Sequence, residues 1–279
     1  MTDTADKTAD ETPPEQSFDW RILYEDGPVL AVNKPAGLLT LGAHDPAVPT
    51  LERQVRSYLK QKYRKPGNVY LGIPHRLDRP VSGVILFARN SKAAGRLAEQ
   101  FRERQVEKIY WGITVREPEV PAGCLTDWLL KEADKAHVHV VPPGTPGARQ
   151  AVLHYRVVGT TPLGTLLEIE LETGRMHQIR VQLAARGWNI LGDVQYGAEL
   201  RLINPAPEDP TLNPIALHAR QIKFLHPVRY DGVTVVAPLP EAWGDLRLEL
   251  PAEAGLVRTP ESMPDLPLIP EWDADDGLE

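Results

Sequence analysis

Cysteine is almost missing from this chain: Cys124 stands alone among 279 residues. A single thiol excludes an intramolecular disulfide and a cysteine-based zinc site. No apolar run is long enough to cross a bilayer, so the sequence predicts no membrane span. The N-terminal stretch MTDTADKTADETPPEQ is acidic, where a signal peptide would be basic and then apolar. Together these absences predict a cytoplasmic protein. Familiar catalytic signatures are also lacking: there is no Gly-x-x-x-x-Gly-Lys-Ser/Thr, no His-Glu-x-x-His and no Gly-x-Ser-x-Gly. No internal repeat recurs at a fixed period.

What is present is an uneven charge. The net charge is −7, yet residues 251–279 alone account for −7 and the first nineteen residues are acidic as well. The stretch 20–250 is therefore mildly basic, which permits a phosphate-backbone partner. Acidic, Pro-containing ends predict two disordered tails, 1–18 and 251–279, around one folded domain at 19–250. Ordinary apolar content and this length allow a substantial core.

Taken in order, residues 22–24 and 29–32 read as strands joined by the turn Glu25-Asp26-Gly27-Pro28. Thr50 is the expected cap of a helix from Leu51 to about Tyr63, with Leu51, Val55 and Leu59 on one stripe. Ser91 is the expected cap of a second helix reaching Arg104. A strand over 106–115 puts Lys108 and Tyr110 on one face. Residues 117–150 read as a loop-rich excursion, with a short strand at 136–141 on which His137 and His139 alternate. With no third ligand nearby, an exposed strand edge is the better reading of that pair than a metal site. A hairpin over 151–158 and 165–171 follows. A helix from about Met176 to Gly187 would place His177, Arg180 and Ala184 on one face. Strands at 217–224 and 233–237 close the sheet. The predicted class is α+β, a mixed and mainly antiparallel central sheet flanked by helices.

Three polar islands carry the chemistry: His75-Arg76-Leu77-Asp78, Lys108-Ile109-Tyr110, and Gly174-Arg175-Met176-His177-Gln178-Ile179-Arg180. Taken singly, each has a structural explanation: an ion pair, a core tyrosine, a capped helix start. Paired-carboxylate catalysis needs a second acid, and none lies in the islands. One aspartate with arginine and tyrosine suits a nucleophile or charge stabiliser acting on a substrate held by stacking and phosphate contacts.

The run His75-Arg76-Leu77-Asp78-Arg79-Pro80-Val81-Ser82-Gly83, with Lys108-x-Tyr110 and Thr173-Gly174-Arg175-x-His177-Gln178-Ile179-Arg180, resembles the RluA-type pseudouridine synthases. Val32-Asn33-Lys34-Pro35-Ala36-Gly37, Gly192-Asp193-x-x-Tyr196-Gly197, Leu217-His218-Ala219 and His226-Pro227 add to the likeness, which spans roughly residues 20–240. The resemblance implies the pseudouridine synthase catalytic fold and isomerisation of uridine in ribosomal or transfer RNA, with no metal or organic cofactor, by a monomer. It implies Asp78 as catalytic carboxylate, Tyr110 as the stacking tyrosine and Arg180 as the partner of Asp78. It also implies that Arg76 fills the gap left by a flipped nucleotide. His75, Arg79, Lys108, Arg175, His177, Gln178 and Lys34 are the further substrate-binding candidates. Arg53, Arg56, Arg96 and Arg102 are candidate phosphate contacts.

Two positions depart from the family pattern, Val81 where Thr is common and Gln182 where His often stands. Only about eighteen residues precede the first strand, so the small N-terminal RNA-binding module of many relatives is not expected. A non-catalytic RNA-binding or RNA-folding protein on the same fold is the alternative, disfavoured because a pure binder has no use for a carboxylate near phosphate. A hydrolase using His75 and His177 is weaker still, lacking a second acid or metal ligands.

Overall fold

The structure, a computed structural model, describes residues 18–250 apart from 43, 44, 46, 204–206, 210 and 211. The expected tails at 1–18 and 251–279 lie outside the described residues except for Phe18, whose ring stacks on Trp20 against the core. Strands β1 (Arg21–Asp26) and β2 (Val29–Lys34) form the predicted hairpin. Helix α1 (Leu51–Lys62) starts as expected: Thr50 is extended and its side chain accepts from the Arg53 amide, while Leu51, Val55 and Leu59 are buried. Helix α2 (Ser91–Arg102) differs at its cap. Asn90, not Ser91, holds the extended cap conformation and accepts from the Ala93 amide, so Ser91 is already helical.

Between those helices runs β3 (Ser82–Ala88), every residue of it buried. Strand β4 (Glu107–Thr114) follows α2. The excursion at 117–150 is not loop-rich. It contains β5 (Ala122–Lys131) and β6 (Val138–Val141), and β5 pairs with β7 (Arg149–Thr161) from Ala122↔Arg156 to Leu129↔Arg149. The partner that makes β5 a strand lies 20 to 34 residues downstream, from Leu129↔Arg149 to Ala122↔Arg156, so local composition could not announce it. Strand β8 (Gly164–Leu171), helix α3 (Gln178–Ala184), β9 (Leu217–Leu225) and β10 (Gly232–Val236) complete the chain.

One sheet orders the strands β1-β2-β3-β9-β4-β8-β7-β5-β6, with β10 also on β9. Every strand pairing is antiparallel except β3–β9, which is parallel over Ser82↔His218 and Gly83↔Ala219 only. The last strand does not close the sheet. It shares one edge of β9 with β3: β3 takes residues 218–219 and β10 takes 221–225, so the sheet forks there. Gly83 sits at that fork with φ +117, where an added Cβ would lie 2.3 Å from the Ala219 carbonyl oxygen. Only glycine fits.

The fork divides the core in two. One cluster gathers β1–β3, α1, α2 and the outer half of β9; the other gathers β4, β7, β8, α3 and Trp188–Leu191. Leu77 belongs to the first and Val81 to the second, so the turn between them bridges both. Among the described residues no helix is long and apolar enough to cross a membrane.

Candidate active site

Asp78 lies on that bridging turn, and the turn is held from several sides. The Thr40 hydroxyl donates to the Leu77 carbonyl at 2.8 Å and accepts from its amide at 3.2 Å. The Gly37 amide and Lys34 Nζ both donate to the Arg79 carbonyl, and Arg79 Nε donates back to the Gly37 carbonyl. The Val81 amide donates to the Asp78 carbonyl. His75 Nε2 accepts from the Leu86 amide, and its ring stacks on Phe101 at 4.6 Å. Burial holds that imidazole down at about 3, so it is neutral, as an acceptor must be.

Lys34 is corrected by its surroundings. It is fully buried and donates to the Pro35, Leu38 and Arg79 carbonyls, so it is a clamp for the Asp78 turn and not a phosphate contact. Burial lowers its pKa to about 7, against the opposing pull of Asp78. Gln178 is likewise spent within the fold. Its Oε1 accepts from Thr173 and the Arg175 amide, and its Nε2 donates to the Val152 carbonyl, tying the 173–175 turn to β7. Held there, the chain reaches His177 in a left-handed conformation (φ 51), so His177 stands just before α3 without a side-chain capping bond and does not share a helical face with Arg180.

Arg180 faces two carboxylates. Its Nε and Nη2 meet Asp193 at 2.7 Å each, and Nη2 also donates to Gln195 at 2.8 Å. Its Nη1 is left for Asp78, 3.7 Å away. Arg180 and Asp193 are 3% and 1% exposed, and breaking such a buried pair costs about 3–5 kcal/mol. Asp193 is therefore committed to the arginine. Asp78, its side chain one quarter exposed and with only long contacts to Arg180 and to His177 Nε2 (3.8 Å), is the carboxylate open to a ligand.

A cleft of about 510 Å³ opens over Asp78 and brings together all three polar islands: Asp78, Tyr110, Lys108, Arg175, His177 and Arg180 line it, with His75, Arg76 and Gln178. Tyr110 packs against both core clusters and holds one wall. Burial, reinforced by the charge of Asp78, raises its phenol well above the ordinary value. Lys108 is half-buried and its pKa lowered by burial and by Arg104. Arg76 is exposed at the rim and, among the described residues, makes no ion pair or hydrogen bond. Arg175 donates to the Gln150 carbonyl from the same rim. On the other side of Asp78 lies a second cavity of about 630 Å³, which Arg79 lines instead of the first.

Four surface arginines fall otherwise. Arg56 binds Glu52 and the Leu71 carbonyl, Arg53 the Val48 carbonyl and Arg96 the Pro227 carbonyl. Only Arg102 of these lines the cleft, and it pairs with Glu99 and Glu103. Sequence reasoning missed Asp193, Gln195 and Tyr196 as site residues. They stood in a turn-rich return whose only signal was Gly192-Asp193-x-x-Tyr196-Gly197, and nothing local pairs an acid with an arginine thirteen positions earlier. His137 stacks on Tyr196 and His139 meets Glu132 at 3.3 Å; among the described residues no group of three or more His, Cys, Asp or Glu is arranged to hold a metal.

Residues 28–185 match the family described as RNA pseudouridylate synthase. A protein of Xylella fastidiosa named ribosomal large subunit pseudouridine synthase D is 37% identical over 245 residues, 85% of this chain and 70% of its own length. An uncharacterized RNA pseudouridine synthase of Synechocystis sp. is 31% identical, covering 81% of this chain and 67% of that protein. Among solved structures, human RNA pseudouridylate synthase domain containing 4 superposes with a TM-score of 0.65 at 28% identity, over 82% of this chain and 94% of that one.

Proposed function

The chain belongs to the RNA pseudouridylate synthase family, and from that premise we propose that Asp78 is the carboxylate with which it isomerises uridines of ribosomal RNA. One observation supports the assignment above the others: of the two acids around Arg180, only Asp78 is open to the cleft that Tyr110 lines. Ribosomal RNA is favoured over transfer RNA because relatives covering most of the chain are named for the large ribosomal subunit. The cytoplasm follows as the compartment.

The isomerisation breaks the N1–C1′ bond, turns the uracil and forms a C5–C1′ bond; a proton leaves C5 and N1 gains one. Asp78 attacks or stabilises the sugar–base unit as the first bond breaks. Nη1 of Arg180, 3.7 Å away, places a fixed positive charge beside it. A base must leave its stack to reach this cleft, and the Tyr110 ring offers a new stacking face while Arg76 occupies the gap. A phenol held protonated can donate a hydrogen bond to the uracil but is a poor base, so Tyr110 acts first as a platform. Lys108 and Arg175 supply positive charge at the rim for the flanking phosphates.

Asp78→Asn preserves size and removes the charge. It is expected to abolish pseudouridine formation on ribosomal RNA while RNA affinity stays within about threefold, read by pseudouridine mapping and filter binding. Modification at the wild-type rate would sink the assignment.

A further inference from the structure

Tyr196 touches Asp78 nowhere, yet two separate routes lead from it to that carboxylate. The first runs through its ring. Asp193 and Gln195 fix the Nε/Nη2 edge of Arg180 within the guanidinium plane, and the tilt of that plane is set by the Tyr196 ring, 4.9 Å from Cζ. The second runs through its hydroxyl, 2.9 Å from His177 Nδ1, while His177 Nε2 lies 3.8 Å from Asp78.

The hydroxyl also accepts from the Val138 amide at 3.1 Å, and this decides where the protons are. A phenol has one proton and two lone pairs. If it donates to His177 Nδ1, the phenol proton and the Val138 amide both have acceptors, and the imidazole proton must sit on Nε2, facing Asp78 3.8 Å away. In the opposite tautomer two N–H groups converge on one oxygen, and the phenol proton has no acceptor among the described residues. Burial pushes the Tyr196 phenol up to about 12 and holds His177 below its ordinary value, so a neutral donor meets a neutral ring.

We propose that Tyr196 is a positioning residue for Asp78: its hydroxyl selects the His177 tautomer that turns Nε2–H toward the carboxylate, and its ring sets the tilt of Arg180. The inference rests on the reading of Asp78 as the catalytic carboxylate. It also gives the β5–β6 hairpin a task. Val138 of β6 supplies the amide that leaves the phenol proton free for His177, and His137 stacks on the same ring at 4.8 Å.

Tyr196→Phe keeps the ring and removes the hydroxyl, taking away both the proton given to His177 and the acceptor of the Val138 amide. It is compared with His177→Asn, which tolerates the left-handed conformation, with the double variant, and with Asp78→Asn as reference, on one ribosomal RNA fragment. Tyr196→Phe should lower kcat about tenfold with KM within about twofold, the size of a small misplacement at the reacting groups, and lower Tm by only a few degrees for the lost Val138 bond, so that the protein stays folded at the assay temperature. The double variant should turn over no more slowly than His177→Asn alone, since both act through one proton. Independently of any variant, nitrogen-15 spectra of the wild-type histidines should show His177 as the Nε2–H tautomer. An unchanged kcat, a loss confined to KM, multiplying effects or an Nδ1–H tautomer would each overturn the positioning role. An inactive Asp78→Asn beside a fully active Tyr196→Phe removes that role alone. An active Asp78→Asn removes the reading beneath it.

Discussion

At Arg180 a single guanidinium is divided between a buried carboxylate that it holds bidentately at 2.7 Å and an open one at 3.7 Å. The division is geometric. A planar fork can present one edge to Asp193 and still direct its remaining nitrogen elsewhere, which a lysine ammonium cannot do. The result is a positive charge beside Asp78 that cannot swing away, because leaving would strand Asp193 in the interior. Tyr110 shows the same separation of duties within one side chain. Its ring forms a wall of the cleft, while its hydroxyl makes no hydrogen bond among the described residues. Tyr110→Phe should therefore keep the RNA Kd within about twofold and lower kcat by roughly fivefold to tenfold, the value of one hydrogen bond near 1 kcal/mol. Steady-state turnover alongside filter binding separates the two. A rise in Kd with turnover unchanged would show that the hydroxyl binds RNA and does not serve the reaction.

Among the elements, the short parallel contact between β3 and β9 matters more than its two register pairs suggest, because the turn carrying Asp78 enters the sheet there. The Ser82 hydroxyl and His218 Nδ1 share a 2.9 Å hydrogen bond across it, and His218 is completely buried. Burial, aided by the charge of Arg220, lowers the His218 pKa to about 4. The folded value lies below the ordinary 6.5, so the unfolded chain takes up the proton first. This contribution is complete above pH 6.5 and is lost as pH falls toward 4. It amounts to about 3 kcal/mol by linkage. Between pH 6.5 and 4, wild-type protein should lose about that much more stability than His218→Gln, measured by urea unfolding; parallel losses in the two proteins would refute the account. Helix α1 and its Thr50 cap were legible from spacing alone, and so was the β1–β2 hairpin. Strand β5 and the start of α3 were not. The first depends on β7 for its partner, and the second is delayed by Gln178, whose side chain holds the preceding turn.

Over the whole molecule, acidic ends enclose a mildly basic stretch at 20–250. The cleft between the two cores gathers positive charge at Arg76 and Lys108, neither of which has an ion-pair partner among the described residues. RNA binding should weaken steeply with salt, and Lys108→Ala should flatten the slope of log K against log salt by about 0.7–0.9, one phosphate contact. Titrations between low and physiological ionic strength test this; an unchanged slope would remove Lys108 from the backbone contacts. Lys34 gives the opposite lesson. As a lysine in a tight loop it was expected on RNA, and tertiary structure instead buries it among three carbonyls. The motifs around Asp78, Tyr110 and Arg180 disclosed the family, the reaction and the α+β class, because those depend on residue types in order along the chain. Which acid is spent on Arg180, which is left open, and what holds both were decided only when the fork in the sheet brought residues 78, 110, 180, 193 and 196 together. Contacts across such separations are set by packing between elements, and local periodicity carries no record of them.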